Sequence, residues 1–362
     1  MRRWGKWLVG GLVLALVVAS VPILWIEVAC KTPRDPAAKK RAALVTDSGY
    51  ARRESDSYLT FPEWHIVYAY DEFAAVLKAG DESDFSYGRQ VTEFWDNFCE
   101  LSRVVTSRGR APVDTRVMLY TIGWSFTAEL ATKGVYEKTF GRFFEWVRGP
   151  EKTEEDRFAA REMRAYAEFL RQTPWYEYPF GSRLVAFWQE TPMRGGHLWR
   201  KLERRVVFTG EFGIKAIYGS VIGLASAKAL GAADLTIQTV VVGLDAGDIP
   251  RDSSIKIVRR LGGGRTLIQT PRYQAYTDLV VELARRGRDI VEIAGNHRIL
   301  ITVVAPNEAL PTLPETIELF DTPIQSKPGR RRVGLDVPVP HLAAAIRTLE
   351  KAGVTIEHIY DY

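Results

Sequence analysis

Cysteine is nearly absent: the 362 residues hold two, Cys30 and Cys99. A disulfide framework and a zinc site built mainly from thiolates are therefore excluded. Histidine is scarce too, at five residues. No pair among His65, His197, His297, His341 and His358 has metal-ligand spacing. No metal or cofactor is expected. Nucleophile elbows and both phosphate-binding glycine spacings are missing. Gly262-Gly263-Gly264-Arg265 precedes a strand and reads as a hairpin turn. The net charge of +5 is modest for this length and demands no nucleic-acid partner.

What is present begins at the N-terminus. Trp7 to Ile26 runs without a charged side chain, between Lys6 and Glu27. Such a run covers the roughly 30 Å hydrocarbon core of a bilayer. Tryptophans stand at both ends, where amphipathic rings favour the headgroup layer. The expectation is a membrane anchor, with the bilayer as partner of residues 7–26. A cleaved signal peptide is the rival, but the apolar run is longer than usual for one. Glu27-Val28-Ala29-Cys30 is a poor lipidation signal, because Glu27 stands where an apolar residue is needed. Arg2, Arg3 and Lys6 favour a cytoplasmic N-terminus and an exported remainder. Lys31, Arg34, Lys39, Lys40 and Arg41 pull the other way and could touch anionic lipid.

Four segments follow from composition: an anchor (1–30), a basic linker (31–57), an aromatic-rich, mainly helical domain (58–231) and an α+β domain (232–362). Seven of the ten tryptophans lie between Trp64 and Trp199. Helices are expected over Glu72–Ala79, Tyr87–Val105, Arg116–Thr132, Lys152–Gln172 and Phe212–Leu230. In the fourth, Thr153 caps an acidic first turn. The fifth has an uncharged stretch too short to span a membrane, which reads as a buried or interfacial helix. Large aromatics fill cores, and they also favour bilayer interfaces.

The last third alternates strand and helix signals. Leu283-x3-Gly287-x2-Ile290-x2-Ile293 returns as Leu349-x3-Gly353-x2-Ile356-x2-Ile359, an offset of 66 residues. Each copy has a helix end, a glycine cap and a strand. The reading is α+β: a ferredoxin-like sandwich with an extra hairpin. Asp289–Ala294 and His297–Val304 are expected to pair through Gly295-Asn296. Arg285, Arg286, Arg288 and Arg330 to Arg332 could give this domain a basic face.

The most unusual local sequence is Thr60 to Tyr68, TFPEWHIVY. Glu63 and His65 are the candidate acid–base pair, and Trp64 is a candidate ligand contact. The loop Trp175-Tyr176-Glu177 would complete a site if both segments line one cleft. Cys99, beside Asp96 and Glu100, is expected to be buried and unreactive. With no catalytic signature, the preferred function is a membrane-anchored binding, sensory or accessory protein of the cell envelope. The alternative is an enzyme for an apolar or lipid-like substrate, using Glu63 and His65.

Overall fold

A computed structural model describes residues 20–34, 42–47, 49–109, 111–226, 235–249 and 255–361. Most of the expected anchor, together with Lys39, Lys40 and Arg41, lies outside them. Among the described residues no helix is long and apolar enough to cross a membrane.

Residues 20–29 form a helix, α1. The helical part continues with α2 (Glu54–Leu59), α3 (Phe61–Ala79), α4 (Tyr87–Arg108) and α5 (Val113–Tyr136). A π-helical turn, Glu137–Gly141, leads into α6 (Arg142–Arg148), followed by α7 (Glu154–Leu170), α8 (Phe180–Glu190) and α9 (Leu198–Ser226). The start of α7 is set as expected. Thr153 Oγ1 accepts from the Asp156 amide at 3.2 Å, and Asp156 Oδ2 accepts from the Thr153 amide at 3.0 Å. This reciprocal cap satisfies two donors that a helix start leaves open.

The sheet part is a duplication. Its first copy is β1 (Thr236–Val242), β2 (Lys256–Leu261), β3 (Arg265–Pro271), α10 (Gln274–Arg285) and β4 (Asp289–Ile293). The second is β5 (Arg298–Pro306), β6 (Ile317–Pro323), β7 (Arg330–Pro338), α11 (Leu342–Lys351) and β8 (Thr355–Ile359). The strand orders, β2-β3-β1-β4 and β6-β7-β5-β8, are the same order repeated, and every pairing is antiparallel. The copies share irregularities as well. The ladder slips between Val240 and Val241 against β4, and between Thr302 and Val303 against β8. It slips again between Ile257 and Arg259, and between Glu318 and Phe320. Bulges at matching places are features of the unit itself.

Two expectations are corrected here. The sheet part is not one ferredoxin-like sandwich with an added hairpin, because each copy of the repeat builds its own four-stranded sheet. Nor do β4 and β5 form a hairpin. Ala294 and Gly295 adopt φ of 47° and 75°, a tight turn, but it passes the chain from the first sheet to the second. The two sheets share a core with α10 and α11, where Ile293, Ile301, Val333, Ile346 and Ile359 meet. Gly287 and Gly353 close these helices at φ of 76° and 74°, and Gly263 and Gly264 turn β2 into β3. Those positions suit glycine because a Cβ is strained at positive φ.

The segment expected to be a solvated linker is part of the fold from Ala43 onward. Val45 and Tyr50 are buried against Val240 and Leu267 on the outer face of the first sheet. Tyr50 Oη donates to Glu292 at 2.8 Å, and the Arg52 amide donates to the Ala294 carbonyl at 2.9 Å. The matching face of the second sheet is covered by α2 and α3. There Ser57 Oγ donates to the Tyr360 carbonyl at 2.9 Å, and Phe61 lies 4.5 Å from Phe320. The Phe320 ring rests over Gly334, where an added Cβ would come within 2.3 Å of it. Gly334→Ala should therefore cost about 1–3 kcal/mol in denaturant unfolding, the usual penalty of overpacking. An unchanged midpoint would show that the ring can move aside.

The cysteines are also corrected. Cys99 is not a free buried thiol: it forms a disulfide with Cys30 across a sequence separation of 69. The bond fastens the end of α1 to α4. Glu27 strengthens this joint by accepting from Arg116 at 2.8 Å and from Tyr120 Oη at 2.6 Å on α5. Lipidation of Cys30 is incompatible with this pairing.

Candidate functional site

Glu63, Trp64 and His65 lie in the first turns of α3, which Pro62 opens at a position where its missing N–H costs nothing. Successive helical residues point about 100° apart, so the three side chains diverge. Trp64 turns toward the second sheet and stacks on His358, ring centroids 3.5 Å apart. Burial holds the His358 imidazole neutral, well below its ordinary pKa. Its Nδ1 meets Thr277 Oγ1 at 3.0 Å. His65 turns the opposite way, into the helical core between Phe94 and Phe126. Its Nε2 lies 3.0 Å from the Gln90 carbonyl.

Glu63 stays exposed. The protein packed around it raises its pKa, and Arg272 acts in the opposite sense. The proposed acid–base pair is thus not brought together.

Burial pushes the His65 pKa down to about 3, with Arg332 adding to the effect. The unfolded chain takes this proton near pH 6.5, while the folded chain resists it to about pH 3. Stability is therefore lost as pH falls through that window, by up to about 1.4 kcal/mol per pH unit. Chemical denaturation at pH 7 and pH 5 should show a drop of about 2 kcal/mol from this residue. His65→Gln should remove that contribution. An equal pH dependence in the variant would contradict it.

Tyr273 is part-buried against the helical core. Burial raises the pKa of its phenol, Arg272 opposes the rise, and Glu63, Asp361 and Tyr176 add to it. Tyr273 has φ of 66°, a left-handed conformation costly for a side chain of this size. Asp361 maintains it: Oδ2 accepts from Arg272 Nε at 2.9 Å and from the Tyr273 amide at 3.2 Å. Asp361 is wholly buried, and its Oδ1 has no hydrogen-bond partner among the described residues. The seam between helices and sheets thus carries an exposed carboxylate, a guanidinium and two part-buried phenols. Such a set can bind a polar ligand by charge and hydrogen bonding.

The other candidates scatter. Trp175 stacks on Tyr218 of α9, centroids 5.4 Å apart, and Glu177 is exposed. The close fit of this loop depends on Gly219, whose added Cβ would sit 3.3 Å from the Tyr176 carbonyl oxygen. The sequence does not mark Arg272, Tyr273 and Asp361, since only the fold brings the chain end to the start of α10. The Tyr273-Gln274 junction carries no glycine or asparagine to mark its positive φ.

The suggested basic face is largely neutralised. Arg285 binds Glu350, Arg286 binds Glu282, Arg288 binds Asp245 and Asp248, Arg331 binds Asp321, and Arg332 binds Glu357. Lys31 is paired with Glu27, while Arg34 is exposed. Among the described residues, no group of three or more His, Cys, Asp or Glu side chains could hold a metal ion. The chain matches no family model, no curated protein and no solved structure.

Proposed function

We propose that this is an exported, membrane-anchored binding protein of the cell envelope. Its duplicated α+β unit would present the seam around Tyr273 to a polar ligand or partner. The observation that carries the reading is the Cys30–Cys99 disulfide, which begins four residues after the apolar run ends at Ile26. Disulfides persist in oxidising compartments and are rare in the cytosol. A bond so close to the anchor favours the exported side for everything that follows. The short basic N-terminus is in keeping with that orientation.

An enzyme acting on an apolar substrate is the second reading. It called for Glu63 and His65 to share an open cleft, and their divergence leaves it without an acid–base pair.

A topology reporter fused after Tyr362 tests the first reading. An enzyme active only outside the cytoplasm should be active there, and a fluorophore that matures only inside should stay dark. The reverse pattern would place the seam among cytosolic ligands and overturn the proposal.

A further inference from the structure

The N-terminal half of α9 is built with its charges inward. On α9, Arg200, Glu203 and Arg204 are buried, whereas Trp199, Leu202 and Val206 are exposed. Arg200 reaches Asp156 at 2.9 Å and Glu203 at 3.0 Å. Arg204 reaches Glu137 at 3.0 Å and also pairs with Glu203 and Glu82. The π-helical turn starts at Glu137, where such turns often serve to re-aim a side chain.

A helix facing water shows the opposite pattern, charged outside and apolar within. Here α9 exposes large apolar side chains from Trp199 to Val221: Trp199 is 69% exposed, Val206 68% and Ile217 72%. On α6, which packs against α9, Trp146 is 77% exposed. Burying ionic groups inside while exposing large apolar side chains is unfavourable in water on both counts.

We propose that this outer face, from α1 along α5 and α6 to α8 and α9, lies in the headgroup-to-acyl boundary of the bilayer. The proposal rests on the membrane-anchored reading and extends it to the folded part. Lipid is the occupant favoured by continuity with the anchor. The helix that emerges from the apolar run, α1, exposes Val21, Leu24 and Val28, and the disulfide and the Glu27 contacts pin it beside α5. Exposed Trp146, Trp188 and Trp199 suit a headgroup layer. With buried charges along one side, α9 would lie in the plane and not span it.

The test uses the full chain in vesicles of phosphatidylcholine and phosphatidylglycerol, with the native disulfide intact. Single cysteines placed by Val206→Cys, Ile217→Cys and, as a control on exposed β2, Lys256→Cys carry an environment-sensitive fluorophore. Lipids brominated along their acyl chains should quench the first two labels about twofold, since an interfacial face sits ~5–10 Å deep. The control should be unaffected. Replacing Trp146 and Trp199 with Phe gives a second readout, because it should remove part of the tryptophan quenching that the same lipids cause in the unlabelled chain.

If the chain floats with the vesicles but the labels at positions 206 and 217 stay unquenched, the inference fails and the anchor stands. Labels that are instead shielded by a second copy, with emission changing on dilution, also overturn it. A chain that does not float at all overturns the membrane-anchored reading itself.

Discussion

A Cys30→Ser, Cys99→Ser double variant is expected to lose about 4 kcal/mol of stability. Loop-closure entropy gives that magnitude for the 69-residue separation between the two cysteines. The tie closes a loop containing the strap over the first sheet, α2 and α3, so in its absence the unfolded chain gains freedom throughout that stretch. The native side adds to the effect. Ile26 and Cys30 are buried in the helical core, and the Glu27 contacts with Arg116 and Tyr120 depend on α1 staying docked. Denaturant unfolding in detergent micelles measures the loss. A reductant should shift wild type toward the variant and leave the variant unchanged. Equal stability of the two proteins would mean that the remaining α1 contacts suffice.

Trp64→Ala should cost about 3–5 kcal/mol, the range for removing a large buried aromatic side chain. Trp64 is 4% exposed and is held by His358, Tyr68 and Tyr360. Its loss would open a cavity between α3 and the second sheet and leave the His358 ring uncovered. Trp64→Phe should recover part of the loss. Glu63→Ala, one residue earlier but exposed, should change stability by no more than about 0.5 kcal/mol. The contrast separates packing from binding. A nearly neutral Trp64→Ala variant would restore Trp64 as a ligand platform, against the burial described above.

What could be read in advance was local. The Thr153 cap, the glycine turn before β3 and the glycine stops at Gly287 and Gly353 each follow from the chemistry of a few neighbouring residues. The 66-residue offset correctly marked a duplication, because each copy places the same helix end and strand in the same register. What it could not show was the number of sheets. A turn at Gly295-Asn296 looks alike whether the next strand folds back onto its neighbour or starts a second sheet. Only the pairing of β5 with β7 and β8 decides that.

The site was less accessible for the same reason. Glu63 is a candidate from its neighbours in sequence, whereas Arg272, Tyr273 and Asp361 meet one another only through the tertiary fold. The inward charges of α9 were hidden too. Apolar and charged residues at three-and-four spacing define two faces without stating which one meets the core. The disulfide did leave a trace. Two cysteines, one just beyond a long apolar run, would form a pair if the chain is exported to an oxidising compartment, as proposed.

The most direct measurement is differential alkylation of the full chain recovered from intact cells. Thiols are blocked first without reductant and again after reduction, and peptides holding Cys30 and Cys99 are then weighed. Neither cysteine should react before reduction, both should react after it, and the unreduced digest should contain the two peptides joined. Free Cys30 and Cys99 in the first step would contradict the disulfide and, with it, the proposed placement of this protein outside the cytoplasm.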